Sequence, residues 1–243
     1  MTRARITLLC AALVGLSACQ KLEDQGVVMM VDSTYDATIA ATKRDGITAP
    51  DGLLWRTDGL YMADEGGGAV RVWDGHGTAR TLADASAGLQ SPEDLVMDAG
   101  RNLYFTDDDA GGLWTIDSLG VLRQLAGKDQ GIGSTEAIAL SPSGTILVGD
   151  AKAHRVLEVT KAGAVSVFLG PEAGIEKPES MVFDEHGNLY IADNVANVLY
   201  LLDPQHQLVP VIRQRDGFSP ETINYARGVL YITDSKSGRR QPL

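Results

Sequence analysis

The sequence predicts an all-β chain, a five-bladed β-propeller of four-stranded blades whose last blade is closed by N-terminal strands. Three observations predict it. A blade-length unit recurs about every 43 residues across 27–235. Each unit opens on an acid, and each complete unit holds four short strand-forming runs, with no stripe of helical period to compete. The two ends of the repeat region hold complementary halves of a unit.

In register, the opening acids follow one another at Ala49-Pro50-Asp51, Ser91-Pro92-Glu93, Ser134-Thr135-Glu136, Lys177-Pro178-Glu179 and Ser219-Pro220-Glu221, at intervals of 42, 43, 43 and 42 residues. An apolar run follows (53–55, 95–97, 138–140, 181–183), then a polar turn such as Glu185-His186-Gly187-Asn188. A second run, such as Leu189-Tyr190-Ile191-Ala192, ends in aspartate at Asp64, Asp107, Asp150, Asp193 and Asp234. Two further runs around a turn, such as 113–116 and 121–125, complete the unit. A lone four-stranded blade leaves both faces uncovered, so radial stacking must bury each against a neighbour.

The last unit has its first two strands and then runs into Gly238-Arg239-Arg240-Gln241-Pro242, which does not read as a strand. The segment Val27-Val28-Met29-Met30-Val31-Asp32 matches a third strand, because Asp32 precedes Pro50 by the same 18 residues that separate Asp74 from Pro92. Residues 27–42 therefore supply the missing outer pair. The alternative is a truncated six-bladed propeller.

Ahead of the repeats, residues 1–18 read as a signal peptide. Arg3 and Arg5 precede an apolar stretch over 6–16, too short to cross a hydrocarbon core of roughly 30 Å. Leu16-Ser17-Ala18-Cys19 resembles the bacterial lipobox. That resemblance implies cleavage before Cys19, lipidation of Cys19, and, with Gln20 rather than aspartate next, sorting to the outer membrane facing the periplasm. An ordinary signal peptide cut near Ala18, with an incidental cysteine, is the alternative. The expected organisation is a leader at 1–18, a lipidated tether at 19–26 and one propeller domain at 27–243.

Cleavage removes Cys10, so Cys19 is the only cysteine left, which excludes an internal disulfide and a cysteine-based metal site. It also takes Lys plus Arg from 21 to 19 against 32 acids, so the net charge moves from −11 to −13. So acidic a body is repelled by nucleic acid and anionic lipid, and cations are its natural partners. A monomer is expected, with no nucleotide, haem or flavin.

The stretch Pro178-Glu179-Ser180-Met181 through Gly187-Asn188-Leu189-Tyr190-Ile191-Ala192-Asp193 resembles the NHL-repeat propellers and the related gluconolactonase, or senescence-marker-protein, family. The resemblance covers nearly the whole chain after the leader and implies the propeller fold. It also implies a divalent cation held in the central channel by acidic and amide side chains at the start of the innermost strands. The matching positions are Asp51, Glu93, Glu136, Glu179 and Glu221, all carboxylates where the family mixes in asparagine.

Topology alone groups the same acids. In an up-and-down blade, strand one starts where strand two finishes, so the opening acids and the strand-two aspartates share one face. Carboxylates crowded around a narrow mouth cannot all stay ionised and unpaired; either their pKa values rise or a cation neutralises them. All-oxygen ligands favour calcium or another hard divalent cation. Alternatively, each acid caps backbone N–H groups or pairs with a nearby Lys or Ser. The strand-two aspartates read as turn-fixing acceptors, and Asp107-Asp108-Asp109 as a solvated acidic loop or a second cation site. His76, His186 and His206 fall in turns on the opposite face; His154 alone lies on the acidic side, as a candidate general base or a loop-packing residue. No nucleophile-elbow, metalloprotease or phosphate-loop motif occurs. Two functions remain: an envelope-anchored module binding a small molecule or an envelope protein, or a metal-dependent lactonase or esterase.

Overall fold

Short runs of Val, Leu, Ile and Tyr, each cut off by Gly, Asp or Asn, are too brief for a helix and suit the pleated, half-buried surface of a strand. The computed structural model describes residues 28–31, 37–213, 218–226 and 228–234, and they bear this out: twenty strands, all in antiparallel sheets. The chain divides into two units, Met1–Pro92 and Glu93–Leu243.

In the first unit, β1 (Val28–Val31) pairs with β2 (Ala37–Ala41) as a two-stranded sheet. Strands β3 (Pro50–Arg56), β4 (Gly59–Asp64), β5 (Ala69–Trp73) and β6 (Arg80–Ala83) form a four-stranded meander. Every residue of β4 is buried, whereas Leu53 and Trp55 on β3 are exposed. Ile47, Leu60, Met62, Trp73 and Ala79 pack together in this unit.

The second unit begins one residue into β7 (Pro92–Met97), which continues through β8 (Leu103–Asp107), β9 (Gly112–Ile116) and β10 (Leu122–Gly127). Two more four-stranded meanders follow: β11 (Thr135–Leu140), β12 (Ile146–Asp150), β13 (Arg155–Val159) and β14 (Val165–Leu169), then β15 (Pro178–Phe183), β16 (Leu189–Asp193), β17 (Val198–Leu202) and β18 (Leu208–Ile212). A two-stranded sheet, β19 (Pro220–Ala226) and β20 (Val229–Asp234), ends the order. First strands lie beside first strands, β11 against β15 and β15 against β19. Apolar clusters fill the space between successive sheets, such as Ala137, Leu147, Val156, Met181, Leu189 and Ile191.

Two features position the site. In four sheets the first residue of strand one faces the terminal aspartate of strand two: Pro50 with Asp64, Thr135 with Asp150, Pro178 with Asp193, Pro220 with Asp234. The register then breaks at once, between Pro50 and Leu53, Thr135 and Ile138, Pro178 and Ser180, and Pro220 and Ile223. Each opening acid of those sheets therefore sits in a bulge, a device that re-aims a side chain. Before strand one, short 3₁₀ turns at Lys43–Asp45, Ala85–Ala87, Lys128–Gln130 and Pro171–Ala173 recur with the repeat. Each ends on a left-handed glycine (Gly46, Gly88, Gly131, Gly174) and delivers a buried Ile47, Leu89, Ile132 or Ile175 into the core.

Candidate functional site

The strand-two aspartates are structural latches. Asp64, Asp107, Asp150 and Asp193 are fully buried. Asp64 accepts the Thr48 and Ala49 amides at 2.9 and 2.7 Å through one oxygen and Arg71 Nε at 2.7 Å through the other. Asp193 accepts the Glu176, Lys177 and Ala196 amides at 2.7, 3.2 and 2.8 Å. Asp150 takes Ala153 N, Gly133 N and the Arg155 guanidinium, and Asp107 takes Ala110 N. Asp107, Asp150 and Asp193 tie the turn after strand two, and Asp64, Asp150 and Asp193 tie the chain entering strand one, into the same corner. Buried carboxylates are tolerated because N–H donors surround them. The side chain of Asp234 lies outside the described residues.

Three of the opening acids gather in the second unit. Lys177 Nζ lies 3.0 Å from Glu136 Oε1 on β11 and 2.9 Å from Glu179 Oε2 on β15. Glu221 on β19 joins the group through its field at Glu179, and its Oε2 accepts from Asn194 Nδ2 at 3.5 Å. The side chains of Lys177, Glu136 and Glu179 are only 30, 16 and 17% exposed. Burial pushes the Glu179 carboxyl up to about 7; Lys177 opposes this, while the charges of Glu136 and Glu221 reinforce it. For Lys177, burial acts downward, but the two glutamates outweigh it and hold the ammonium above its ordinary range. Both ways of relieving a carboxylate cluster therefore operate: one proton affinity rises, and a lysine provides the cation. Chemically, the cluster holds one fixed positive charge beside an acid that exchanges its proton near neutral pH. Among the described residues, no group of three or more His, Cys, Asp or Glu side chains is arranged to hold a metal ion.

Glu93 occupies the same position of β7 and is buried, while Asp51, in the first unit, is exposed. His154 sits in the β12–β13 turn with a left-handed backbone (φ 54°) and a ring nitrogen 2.6 Å from the Glu176 carbonyl, so the ring fastens that turn to the chain entering β15. Cys19 lies outside the described residues.

Beside the Asp107-Asp108-Asp109 turn is an open cleft of about 700 Å³, lined by residues that include Asp108, Asp109, Lys128, Ser134 and Lys152. Its size falls in the range of small-molecule sites, roughly 300–1,000 Å³. Lys128 Nζ donates to the Asp109 carbonyl at 3.0 Å, and Asp108 Oδ1 is buried without a hydrogen-bond partner.

Sequence reasoning considered a lysine partner for the acids without singling out Lys177. A signal for it exists: the residue before the Pro/Thr-acid pair is Ala49, Ser91, Ser134 or Ser219 elsewhere, and only here is it charged. The cleft has no comparable signature, because it arises where turns from different sheets meet.

No family model matches the chain, and no characterised protein matches it in sequence. Solved structures do match in fold. A catalytically inactive variant of virginiamycin B lyase from Staphylococcus aureus, with quinupristin, superposes with a TM-score of 0.69 at 12% identity, covering 87% of this chain and 78% of the lyase. A chain of a nidogen–laminin complex gives 0.72 at 18%, covering 87 and 83%. A gluconolactonase from Xanthomonas campestris gives 0.66 at 16%, covering 88 and 77%. The structural neighbours are gluconolactonase-like and NHL-type β-propeller proteins, in keeping with the resemblance of the blade motif. At these identities the likeness is one of fold, which hosts both enzymes and binding proteins.

Proposed function

We propose that this chain is an envelope-anchored five-bladed propeller that acts as a ligand- or protein-binding module, using the cleft beside the Asp107-Asp108-Asp109 turn. The cleft is the observation that carries the reading. Four strand-end aspartates are consumed in latching the fold, and His154 in fastening a turn. Asp108, Asp109 and Lys152, by contrast, line an open space of binding-site size. A mixed-charge cleft suits a polar partner recognised through paired contacts. In-cell photo-crosslinking tests it. A crosslinker at Lys152 is expected to yield a discrete adduct that one at His186, on a turn at the opposite ends of the strands, does not. Identical adducts from both positions, or none from either, would sink the reading.

Ring closure and anchoring belong to the same proposal. The half-sheets β1–β2 and β19–β20 together make the strand count of one blade, and Val229 and Tyr231 on β20 are exposed apolar side chains of the kind a completing pair would cover. The anchor rests on Leu16-Ser17-Ala18-Cys19.

A second reading, a lactonase or esterase, is favoured by Glu179, whose raised proton affinity suits a general base. It places calcium or another hard divalent cation among some of the other opening acids, Asp51, Glu93, Glu136 and Glu221, as Lewis acid, with Glu179 left free of the ion. A panel of lactones and aryl esters at saturating calcium tests it; absence of turnover removes it.

A further inference from the structure

The gathered acids do not fit a divalent cation as they stand. Calcium takes six to eight oxygen ligands at roughly 2.3–2.6 Å, with carboxylates turned inward on the ion. Here Glu136 and Glu179 are turned instead on a lysine, whose Nζ is 3.0 and 2.9 Å from them. A second positive charge so close to the metal position would be repelled, and strongly so in a site this buried. The lysine is held in place rather than swinging free. Its own amide donates to the buried Asp193 at 3.2 Å, Pro178 follows it, and its side chain is 30% exposed.

We infer that Lys177 is a tethered cation that takes the place of a metal ion among Glu136, Glu179 and Glu221, and that it closes this position to divalent cations. The position is unusual within the chain's own repeat. Three other repeats carry a serine there (Ser91, Ser134 and Ser219) and one an alanine (Ala49), none of which reaches a neighbouring carboxylate with a charge. A covalently attached ammonium joins neighbouring sheets without any dependence on metal supply: Glu136 comes from β11, Lys177 and Glu179 from β15. A metal site of the same acids would make the fold sensitive to chelators. The inference does not depend on what the cleft binds.

Removing the lysine tests it. Lys177→Ser restores the residue found in the other repeats, and Lys177→Gln keeps the chain length while deleting the charge. Calcium chloride is titrated calorimetrically into the full mature protein and into both variants, and melting is followed with and without calcium. The wild type is expected to show no binding heat and no shift in melting temperature at about 5 mM calcium. At least one folded variant is expected to bind with a submillimolar dissociation constant and to melt roughly 5 °C higher with calcium. Adding Glu179→Gln to that variant should weaken binding at least tenfold. Calcium binding by the wild type as tight as by the variants would overturn the inference. So would a variant that folds by circular dichroism yet takes up no calcium. If neither variant folds, the wild-type titration still decides, since a bound calcium beside an intact Lys177 contradicts a closed site. None of these outcomes bears on crosslinking at Lys152, so the two proposals fail separately.

Discussion

Glu179 gives the chain a pH dependence that can be worked through from its surroundings. Its carboxyl titrates at about 7 in the folded state against an ordinary 4.5, chiefly because it is buried. The folded chain therefore holds a proton between those values that the unfolded chain has released. Stability linked to this group is fully present below about pH 4.5, falls as pH rises through that window, and is gone above 7. The gap is worth about 3 kcal/mol, an upper figure because some solvent reaches the site. Glu179→Gln mimics the protonated form at every pH. At pH 5 the variant should match the wild type within about 1 kcal/mol, and at pH 8.5 it should be the more stable by about 2–3 kcal/mol. Urea denaturation at a series of pH values measures the difference directly. A difference that does not change between pH 5 and 8.5 would refute the account of the Glu136, Lys177 and Glu179 cluster, because it would mean the carboxyl titrates as an ordinary one.

Three further expectations follow from the geometry, and a fourth from the leader sequence. Asp193→Ala leaves the amides of Glu176, Lys177 and Ala196 without their acceptor, and should cost about 3–5 kcal/mol in chemical denaturation. Gly174→Ala places a Cβ in open space on a left-handed backbone (φ 79°), so its cost should be conformational alone, roughly 1–2 kcal/mol by thermal melt. For Asp98, burial raises the carboxyl, but Lys161 at 2.6 Å, Asn102 and Tyr104 outweigh it and hold it well below the usual range. The stability that Asp98 contributes is thus present above about pH 4 and fades in stronger acid, so Asp98→Asn should cost about 1 kcal/mol at pH 7 and progressively less below pH 4. Cys19→Ser should move the protein from the membrane to the soluble envelope fraction; unchanged fractionation would remove the proposed anchor.

The parts legible in the sequence were those tied to the period. Four strands per unit, the turn aspartates and the two-stranded sheets at either end follow from a repeating pattern of strand formers and breakers, because each blade solves the same packing problem locally. Asp64, Asp150 and Asp193 were readable as turn acceptors for that reason, and the structure gives each its backbone donors. The 3₁₀ turns were missed, since three residues carry no periodicity, although the recurring pairs Gly46-Ile47, Gly88-Leu89, Gly131-Ile132 and Gly174-Ile175 mark their ends. The fate of the opening acids lay beyond the pattern. It depends on a bulge that aims Glu136 and Glu179, and on one lysine that departs from the repeat. Aligning units for what they share hides the residue in which one of them differs. The cleft depends on turns far apart in sequence, such as Asp108 and Lys152, meeting in space.

The proposed ring is the premise on which a single mouth for Asp51, Glu93, Glu136, Glu179 and Glu221 rests, and deleting residues 27–42 tests it most directly. If β1 and β2 complete the blade begun by β19 and β20, the deletion opens unpaired edges, and the protein should unfold or self-associate on size exclusion with light scattering. A folded monomer that melts at the wild-type temperature would contradict the shared blade.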